Sequence, residues 1–270
     1  MVADCGSDDA QVLMLPALSC EPRDGVAWCT LARPPLNLLE PGLIGAIRET
    51  FQALGADRTI RAAVVTGSGR AFTAGMDVHV LAGLDVAGAR TLITTLHEAI
   101  EAVHHAPFPV LAAVNGPCLG AGFELALACD LRVAAATATF GLPEVRVGVP
   151  SVIEAALLPP LVGPGRAAEL LLTGDAIGAE MALSWGLINQ VVPAVELTTA
   201  VEGLVAKILA AGPTAIRLQK ELMLRWRYTD LGTAIRYGIN AFAAAYASGE
   251  PAEGAAAFLA KRPPKFEAPH

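Results

Sequence analysis

The stretch NGPCLGAGFELALACD at residues 115–130 decides the fold, because it predicts a glycine-rich turn between a buried strand and a buried helix. The apolar run Val110–Val114 comes just before it and is typical of a strand that ends at the NGP of residues 115–117. Glycines in the turn let the backbone bend sharply and approach a ligand closely. The helix predicted to begin near Ala121 presents unpaired N–H groups and the positive end of its dipole, a favourable place for an oxyanion.

One acidic residue stands at the start of this helix. Glu124 follows Ala121 by three positions, on the same side of the first turn, so its carboxylate can lie beside whatever the Ala121 N–H binds. The segment lacks the spacing of a G-x-G-x-x-G or a G-x-x-x-x-G-K-[ST] motif, which argues against dinucleotide and P-loop nucleotide sites. Taken alone, it also fits a turn that only packs closely and a glutamate that only complements the helix dipole.

Strand and helix patterns alternate on both sides of this turn. Residues 61–66 and Leu131–Ala135 are apolar strand candidates, and helices are predicted after Pro41 and over residues 88–105. This alternation implies βαβ crossovers and a mainly parallel sheet, hence an α/β fold.

The two ends of the chain have different patterns. Near the start, apolar runs at residues 12–18 and Val26–Leu31 flank a turn-like segment at 20–25, which predicts a β-hairpin. From about residue 151 the chain is mostly helical, with segments predicted to begin near Arg166, Ala179, Val195, Pro213, Gly232 and Pro251. We predict a core over residues 1–195 and a helical region over residues 196–270.

Composition excludes several classes of function. The chain has 270 residues, 54% of them hydrophobic, which is enough for a sizeable core. Its net charge of −7 provides no basic footprint, so we expect no nucleic-acid partner. The longest uncharged stretch, residues 106–123, is broken by prolines and glycines, so we expect no membrane span. The first ten residues, MVADCGSDDA, resemble neither a secretory signal nor a transit peptide, and we expect a cytoplasmic protein.

The cysteines and histidines do not predict a metal site. No histidine pair has H-x-x-x-H or H-E-x-x-H spacing, and no serine lies in G-x-S-x-G. The cysteines are odd in number and lack C-x-x-C spacing, which favours reduced, buried thiols: Cys5, Cys20, Cys29, Cys118 and Cys129.

Two further segments carry candidate chemistry. The loop at residues 67–77 follows a predicted strand, as an ordinary strand-to-helix loop would. The segment at residues 139–150 contains Glu144 directly after a proline that fixes the local backbone, although such a glutamate can also be a surface residue at a helix start.

Together the three segments closely resemble the signatures of the crotonase (enoyl-CoA hydratase/isomerase) family. AFTAGMD at residues 71–77 matches A-F-x-A-G-x-D, and residues 115–130 match N-G-x-x-x-G-x-G-x-E-L-A-x-x-C-D. FGLPEVRVG at residues 140–148 matches F-G-x-P-E-x-x-x-G. Weaker matches extend the resemblance over most of the chain, at residues 31–34, 172–175, 185–189 and 258–262.

The resemblance implies a crotonase-like β/α spiral core and a C-terminal helical region that mediates assembly into trimers or hexamers. It implies that the N–H groups of Met76 and Ala121 form an oxyanion hole and that Glu124 and Glu144 are catalytic. Members with both glutamates hydrate 2-enoyl-CoA thioesters, with Glu144 as the acid toward C2 and Glu124 positioning and deprotonating water. Coenzyme A arrives as part of the acyl-CoA substrate, so no separate cofactor is expected.

Comparison with the family pattern gives a set of candidate substrate-binding residues, two of which (Leu142 and Glu154) depart from it: Ala74, Asp77, Gly120, Leu142, Ser151, Glu154, Phe258 and Lys261. Phe258 and Lys261 are expected to cover the nucleotide of a neighbouring subunit. Two features depart from the hydratase pattern. Leu142 replaces a usual glutamine, and PSVIE at residues 150–154 replaces a glycine-rich P-G-A-G-G, which brings Glu154 toward the acyl pocket or leaves it as an exposed charge at a helix start.

Alternative functions stay open at this point. Other enolate reactions on the same scaffold include double-bond isomerisation, thioester hydrolysis and retro-aldol cleavage. A non-catalytic relative that binds acyl-CoA or RNA is a different class, and the acidic charge makes RNA the weaker version.

Overall fold

The computed structural model describes residues 13–15 and 17–266, and within them the strands form a seven-stranded sheet and a separate three-stranded sheet. The strands are β1 (Leu13–Leu15), β2 (Leu18–Arg23), β3 (Val26–Leu31), β4 (Ala62–Gly67), β5 (Val110–Val114), β6 (Cys118–Leu119), β7 (Leu131–Ala135), β8 (Thr139–Gly141), β9 (Ala176–Gly178) and β10 (Gln190–Val192). The large sheet has the order β1-β2-β3-β4-β5-β7-β10, and the small one β6-β8-β9.

Helices cover both faces of the large sheet and make up most of the chain after β10. They are α1 (Pro41–Ala56), α2 (Val78–Ala82), α3 (Val86–His104), α4 (Ala121–Ala128), α5 (Leu158–Val162), α6 (Pro164–Thr173), α7 (Ala179–Ser184), α8 (Leu197–Leu209), α9 (Pro213–Trp226), α10 (Leu231–Ala245) and α11 (Glu250–Leu259). Single 3-10 turns cover Pro143–Val147, Glu154–Leu157, Ala194–Glu196 and Tyr246–Ser248.

The opening hairpin is present, but its predicted boundaries were wrong. Residues 20–23 belong to β2 rather than to the turn, and β2 pairs antiparallel with β3. The turn itself is only Asp24-Gly25, and both residues have positive φ, 50° and 76°. An Asp-Gly pair with these angles is typical of a two-residue hairpin turn, which is the signal that fixes the register. Val12 and Pro16 of the predicted first strand lie outside the described residues.

The predicted parallel sheet is confirmed. Strands β3, β4, β5, β7 and β10 pair in parallel. Because side chains alternate across a strand, Ala63 and Val65 of β4 face one core and Ala62 and Val64 face another. The first core contains apolar side chains of α1, α3 and α4, and the second contains those of α8. The sheet is therefore covered on both faces, as parallel sheets require.

The C-terminal helices are joined to the sheet by polar anchors. Lys220 of α9 bonds Asp130 at 2.5 Å, and Asp130 also accepts from the Val110 N–H at the start of β5. Because α8 contributes to the second core, the helical region shares apolar packing with the sheet. The division at residue 195 stays a prediction, although β10 ends at Val192 and α8 begins at Leu197.

Four cysteines in the described chain are free and buried, in agreement with the prediction of reduced thiols: Cys20, Cys29, Cys118 and Cys129. Cys5 lies outside the described residues. Over residues 13–15 and 17–266, no helix is both long and apolar enough to cross a membrane.

Candidate active site

The base of the site is formed where the loop after β4 lies along the turn after β5. The Phe72 N–H donates to the Pro117 carbonyl (3.1 Å), and the Leu119 N–H donates to the Thr73 carbonyl (3.0 Å). The buried Asn37 amide donates to three carbonyl oxygens of the first loop, those of Ser68, Ala71 and Phe72. These bonds bring residues 74–76 against residues 119–121 without a long regular strand pair.

Two glycines allow this close approach. Gly75 has φ +87°, and a Cβ atom there would lie 2.8 Å from the Leu119 carbonyl oxygen and 3.4 Å from the Ala121 nitrogen. Gly120 has φ +55°, so it too adopts a conformation that other residues rarely adopt. The amides of Met76 and Ala121 therefore belong to adjoining pieces of backbone.

These two amides are free to bind a ligand. In the part of the chain that the structure describes, the Gly120 N–H donates to the Gly141 carbonyl, whereas the Met76 and Ala121 N–H groups donate to no protein oxygen. Ala121 is the first residue of α4, where N–H groups have no partner in the helix and the dipole adds positive potential. An anionic oxygen is the ligand that such a pair favours.

Glu144 lies directly over this backbone. Its 3-10 turn, Pro143–Val147, begins with the proline that the sequence places before it. A Cβ atom on Gly120 would lie 2.6 Å from the Glu144 Oε1, so any other residue there would push the carboxylate out of this position. The Ser151 hydroxyl donates to the Glu144 Oε2 at 2.7 Å and so fixes the other oxygen.

Glu124 approaches from α4 and is almost completely buried, with 3% of its surface exposed. Its Oε1 accepts from the Ala155 N–H at 2.9 Å. Burial raises the pKa of Glu124 to about 8, against the lowering effect of the Ala155 N–H, and the neighbouring charges of Glu144 and Glu154 raise it further. The free chain therefore holds a neutral Glu124 at pH 7.

A cleft of about 550 Å³ opens above these groups. One wall comes from α2 and α3, and the other from residues 143–152. Apolar side chains dominate both walls, and two cations, Arg90 and Arg146, also line the cleft. Such a cleft can take a flexible apolar chain with its polar head toward the two free amides.

The structure brings together most of the predicted site residues along this cleft. The lining includes Ala74, Met76, Gly120, Ala121, Glu124, Glu144 and Ser151. Others lie elsewhere. Leu142 is fully buried in the main core, because the backbone turns into the 3-10 turn just after it. Asp77 caps α2 by accepting from the His79 N–H at 2.9 Å.

Glu154 does not line the cleft, and it is not an exposed charge either. It is 7% exposed and its Oε1 bonds the His97 Nδ1 of α3 at 2.8 Å. At the other end of the chain, Phe258 is 83% exposed at the end of α11, so it does not meet this cleft within one chain. Lys261 follows α11 and is exposed as well.

Two site features could not be read from the sequence. The N–H that holds Glu124 belongs to Ala155, and backbone donors leave no mark in a sequence. The bond between His97 and Glu154 joins residues 57 positions apart on two different elements. A histidine on a predicted helix gives no sign of such a partner.

The fold defines the class of protein: a crotonase-fold α/β protein. A solved enoyl-CoA hydratase from Bacillus anthracis superposes with a TM-score of 0.90 at 33% identity, covering 93% of this chain and 99% of that one. A solved structure of Pseudomonas aeruginosa DspI gives a TM-score of 0.91 at 34% identity, over 96% of this chain and 100% of that one.

The chain belongs to the enoyl-CoA hydratase/isomerase family, whose model matches residues 21–269. It is similar to the crotonyl-CoA hydratase of Syntrophomonas wolfei, with 36% identity over 249 residues that cover 91% of this chain and 96% of that protein. It is also similar to the short-chain-enoyl-CoA hydratase of Clostridium acetobutylicum, with 32% identity over 88% of this chain and 92% of that protein.

Proposed function

We propose that the protein adds water to a 2-enoyl-CoA thioester and yields a 3-hydroxyacyl-CoA. The observation that carries this proposal is the arrangement of two carboxylates, Glu124 and Glu144, beside two unpaired amides in one apolar cleft. Relatives along nearly the full length of the chain are named as hydratases of such thioesters, which supports the same reaction class here.

In the proposed reaction, the two amides stabilise negative charge on the substrate. Attack of water at C3 moves negative charge onto the thioester oxygen, and the N–H groups of Met76 and Ala121 stabilise it there. Each well-placed donor contributes about 3 kcal/mol to the transition state. Because both amides belong to backbone that is already fixed in place, they need no reorganisation when the charge develops.

The two carboxyl groups move the protons. Glu124 takes a proton from water as its oxygen bonds to C3, and Glu144 gives a proton to C2, so the thioester gains one water. Since the buried Glu124 is neutral in the free chain, it has to release its proton before it can accept one from water. In this scheme the proton passes from Glu124 to Glu144 before each turnover, and the two carboxyl groups share a single proton.

The remaining parts of the proposal concern the substrate and the assembly. Coenzyme A enters only as part of the substrate, with its acyl end in the apolar cleft. The chain forms a homotrimer or homohexamer, in which Phe258 and Lys261 cover the nucleotide bound by a neighbour. The high exposure of Phe258 and Leu259 in the single chain supports a contact of this kind.

The test is hydration of crotonyl-CoA by the variants Glu124→Gln and Glu144→Gln. Each removes a proton-transfer group, so we expect each to lower kcat/KM by at least about a hundredfold. Loss of the enoyl absorbance measures the rate, and Glu101→Gln, an exposed glutamate on α3, is the matched control. Folded variants with near-wild-type rates would disprove the assignment.

The same assay separates hydration from related reactions. A panel of 2-enoyl, 3-enoyl and saturated thioesters is scored for water uptake, double-bond movement and release of free coenzyme A. We expect water uptake with the 2-enoyl thioesters. Double-bond movement without water uptake would identify an isomerase instead.

A further inference from the structure

His97 and Glu154 form a pair that the proposed reaction does not use. The His97 Nδ1 lies 2.8 Å from the Glu154 Oε1, and the pair joins α3 to the 3-10 turn Glu154–Leu157. The Glu154 side chain is 8% exposed, whereas that of His97 is 44% exposed. One member is therefore inside the protein, and the other faces solvent.

The pair adjoins both walls of the cleft along the chain, although neither member lines it. Along the α3 wall the exposed fraction falls from 84% at Val86 to 1% at Leu96. Leu96 still lines the cleft, and His97 is the next residue of the chain.

The exposed fraction of the side chains also falls along the opposite wall. Val152 lines the cleft and is 47% exposed, whereas Glu154 two positions later is almost wholly buried. The Glu154 carboxylate thus joins the two walls, through His97, just beyond the last side chain that each contributes to the cleft.

The reacting end of the cleft is next to the same turn. Ala155 follows Glu154 and holds the Glu124 carboxylate by its N–H. Contacts therefore run from Glu124 through the neighbouring residues Ala155 and Glu154 to His97, which faces solvent. An acyl tail that extends past Glu124 in this direction would meet the pair.

We propose that the His97–Glu154 pair closes the inner end of the acyl pocket and restricts the protein to short acyl-CoA thioesters, an inference that rests on the function proposed above. Within the described residues the Glu154 Oε2 is buried and has no hydrogen-bond partner. Because this oxygen is already shielded from water, a hydrocarbon tail that entered here would have to displace the carboxylate from its bond to His97 and would offer it no polar partner, which is unfavourable. The bulk of the paired side chains also blocks the path between α3 and the 3-10 turn.

The test is the dependence of kcat/KM on acyl length, from four to twelve carbons in the 2-enoyl thioester. Each methylene that fits in an apolar pocket contributes about fourfold, from about 0.8 kcal/mol per buried CH₂. In the wild type we expect kcat/KM to stop rising at about six carbons, because longer tails no longer bury each added CH₂, and then to fall, because longer tails press against the closing pair.

Two variants open the pocket in different ways. Glu154→Ala removes the buried carboxylate, and His97→Ala removes its partner while Glu154 stays in place. In both we expect the ratio of ten-carbon to four-carbon kcat/KM to rise at least tenfold, the gain of about two additional buried CH₂ groups. Glu154→Gln has nearly the same size and can still bond His97, so it should keep the wild-type profile.

The control is His105→Ala, which removes an exposed histidine from the end of the same α3 region. It should leave the profile unchanged. An unchanged profile in both Glu154→Ala and His97→Ala, with folding shown by circular dichroism, would overturn the proposal. Hydration of the four-carbon substrate in those variants would leave the proposed function intact.

Binding of saturated acyl-CoA thioesters separates this inference from hydration itself. These ligands do not react with water at C3, so calorimetry measures the pocket alone. We expect the wild type to bind the four- to six-carbon thioesters more tightly than the ten-carbon one, and Glu154→Ala to reverse the order. Equal preference in the two proteins would contradict the closure of the pocket, whatever the hydration assay gives.

Discussion

At the scale of single residues, the burial of Glu124 lowers the stability of the fold above pH 4.5 and gives this residue the raised pKa that the proposed proton transfer uses. An ionised carboxylate in an apolar interior loses its water, and the backbone N–H groups of Ala155 and Val152 do not fully replace it. The chain therefore keeps Glu124 neutral at pH 7, with a pKa of about 8. A carboxyl group with a pKa near neutrality is suited to proton transfer. Its contribution to packing is no greater than that of a neutral side chain of the same size.

Stability should therefore decrease with pH because of Glu124. The pKa of a glutamate exposed to water is 4.5, and that of Glu124 in the folded chain is about 8, so between these values the unfolded chain ionises it and the folded chain does not. Each pH unit in this window favours the unfolded state by at most about 1.4 kcal/mol. The penalty is absent below pH 4.5 and complete above pH 8.

Glu124→Gln removes this penalty, so its unfolding free energy should exceed that of the wild type. We expect this excess to be larger at pH 8 than at pH 5 by at least about 2 kcal/mol. Guanidinium unfolding at the two pH values measures the difference. Glu101→Gln, on the exposed side of α3, should show no such pH-dependent gain. An equal Glu124→Gln effect at both pH values would mean that Glu124 is ionised in the folded chain.

At the scale of elements, the two ends of α4 differ in their polar contacts. Its first residue, Ala121, presents the N–H to the cleft, and Arg132 of β7 binds its other end. The buried Arg132 guanidinium donates to the carbonyl oxygens of Ala126 (3.1 Å), Cys129 (2.6 Å) and Leu187 (2.7 Å). A cation at the C-terminus of a helix is favourable for the helix dipole and satisfies carbonyls that lack partners.

Arg132→Lys should therefore weaken the fold by about 2–4 kcal/mol, because an ammonium group cannot make the same three bonds from a planar fork. Denaturant unfolding measures the change, with Arg58→Lys in an exposed loop as the control. If Arg132→Lys unfolds like the control, the bonds to α4 do not stabilise the chain.

The elements differ in how well the sequence predicts them. The bounds of strand β5 and the first residue of helix α4 were predicted correctly, because an apolar run, glycines and a helix start adjoin there. The three-stranded sheet was not predicted, since its strands have only two or three residues and their pairing depends on distant parts of the chain.

The site shows the same limit. Glu124 and Glu144 could be found because each lies in a signature whose spacing is local. The placement of Leu142 and Glu154 could not, because it depends on which way a side chain points beside a 3-10 turn. The sequence predicted that Glu154 departs from the hydratase pattern, but its bond to His97 required the positions of two separate elements.

At the scale of the whole molecule, α10 carries an apolar stripe that nothing in the described chain covers. Leu231, Ile235, Ile239 and Phe242 recur at helical spacing, Tyr246 continues the stripe just after α10, and each is more than half exposed. No residue of α10 is buried, whereas α8 buries three apolar residues against the sheet. A contiguous apolar surface of this kind is typical of a contact between protein chains.

A charge on this stripe should prevent the proposed assembly. In a homotrimer or homohexamer, Ile239 and Phe242 would be buried between subunits, and a carboxylate there would lose its water without gaining a partner. We expect the double variant Ile239→Glu/Phe242→Glu to sediment as a monomer under conditions in which the wild type sediments as a trimer or hexamer. Val195→Glu places the same charge on a residue that is 91% exposed and outside the stripe, so it should keep the wild-type state.

The assembly also has a consequence for the substrate. If Phe258 and Lys261 cover a neighbour's nucleotide, the monomeric variant and a chain truncated before Pro251 should both bind coenzyme A more weakly than the wild type. A wild-type chain that sediments as a monomer would contradict the assembly, and the exposed stripe would then need another partner.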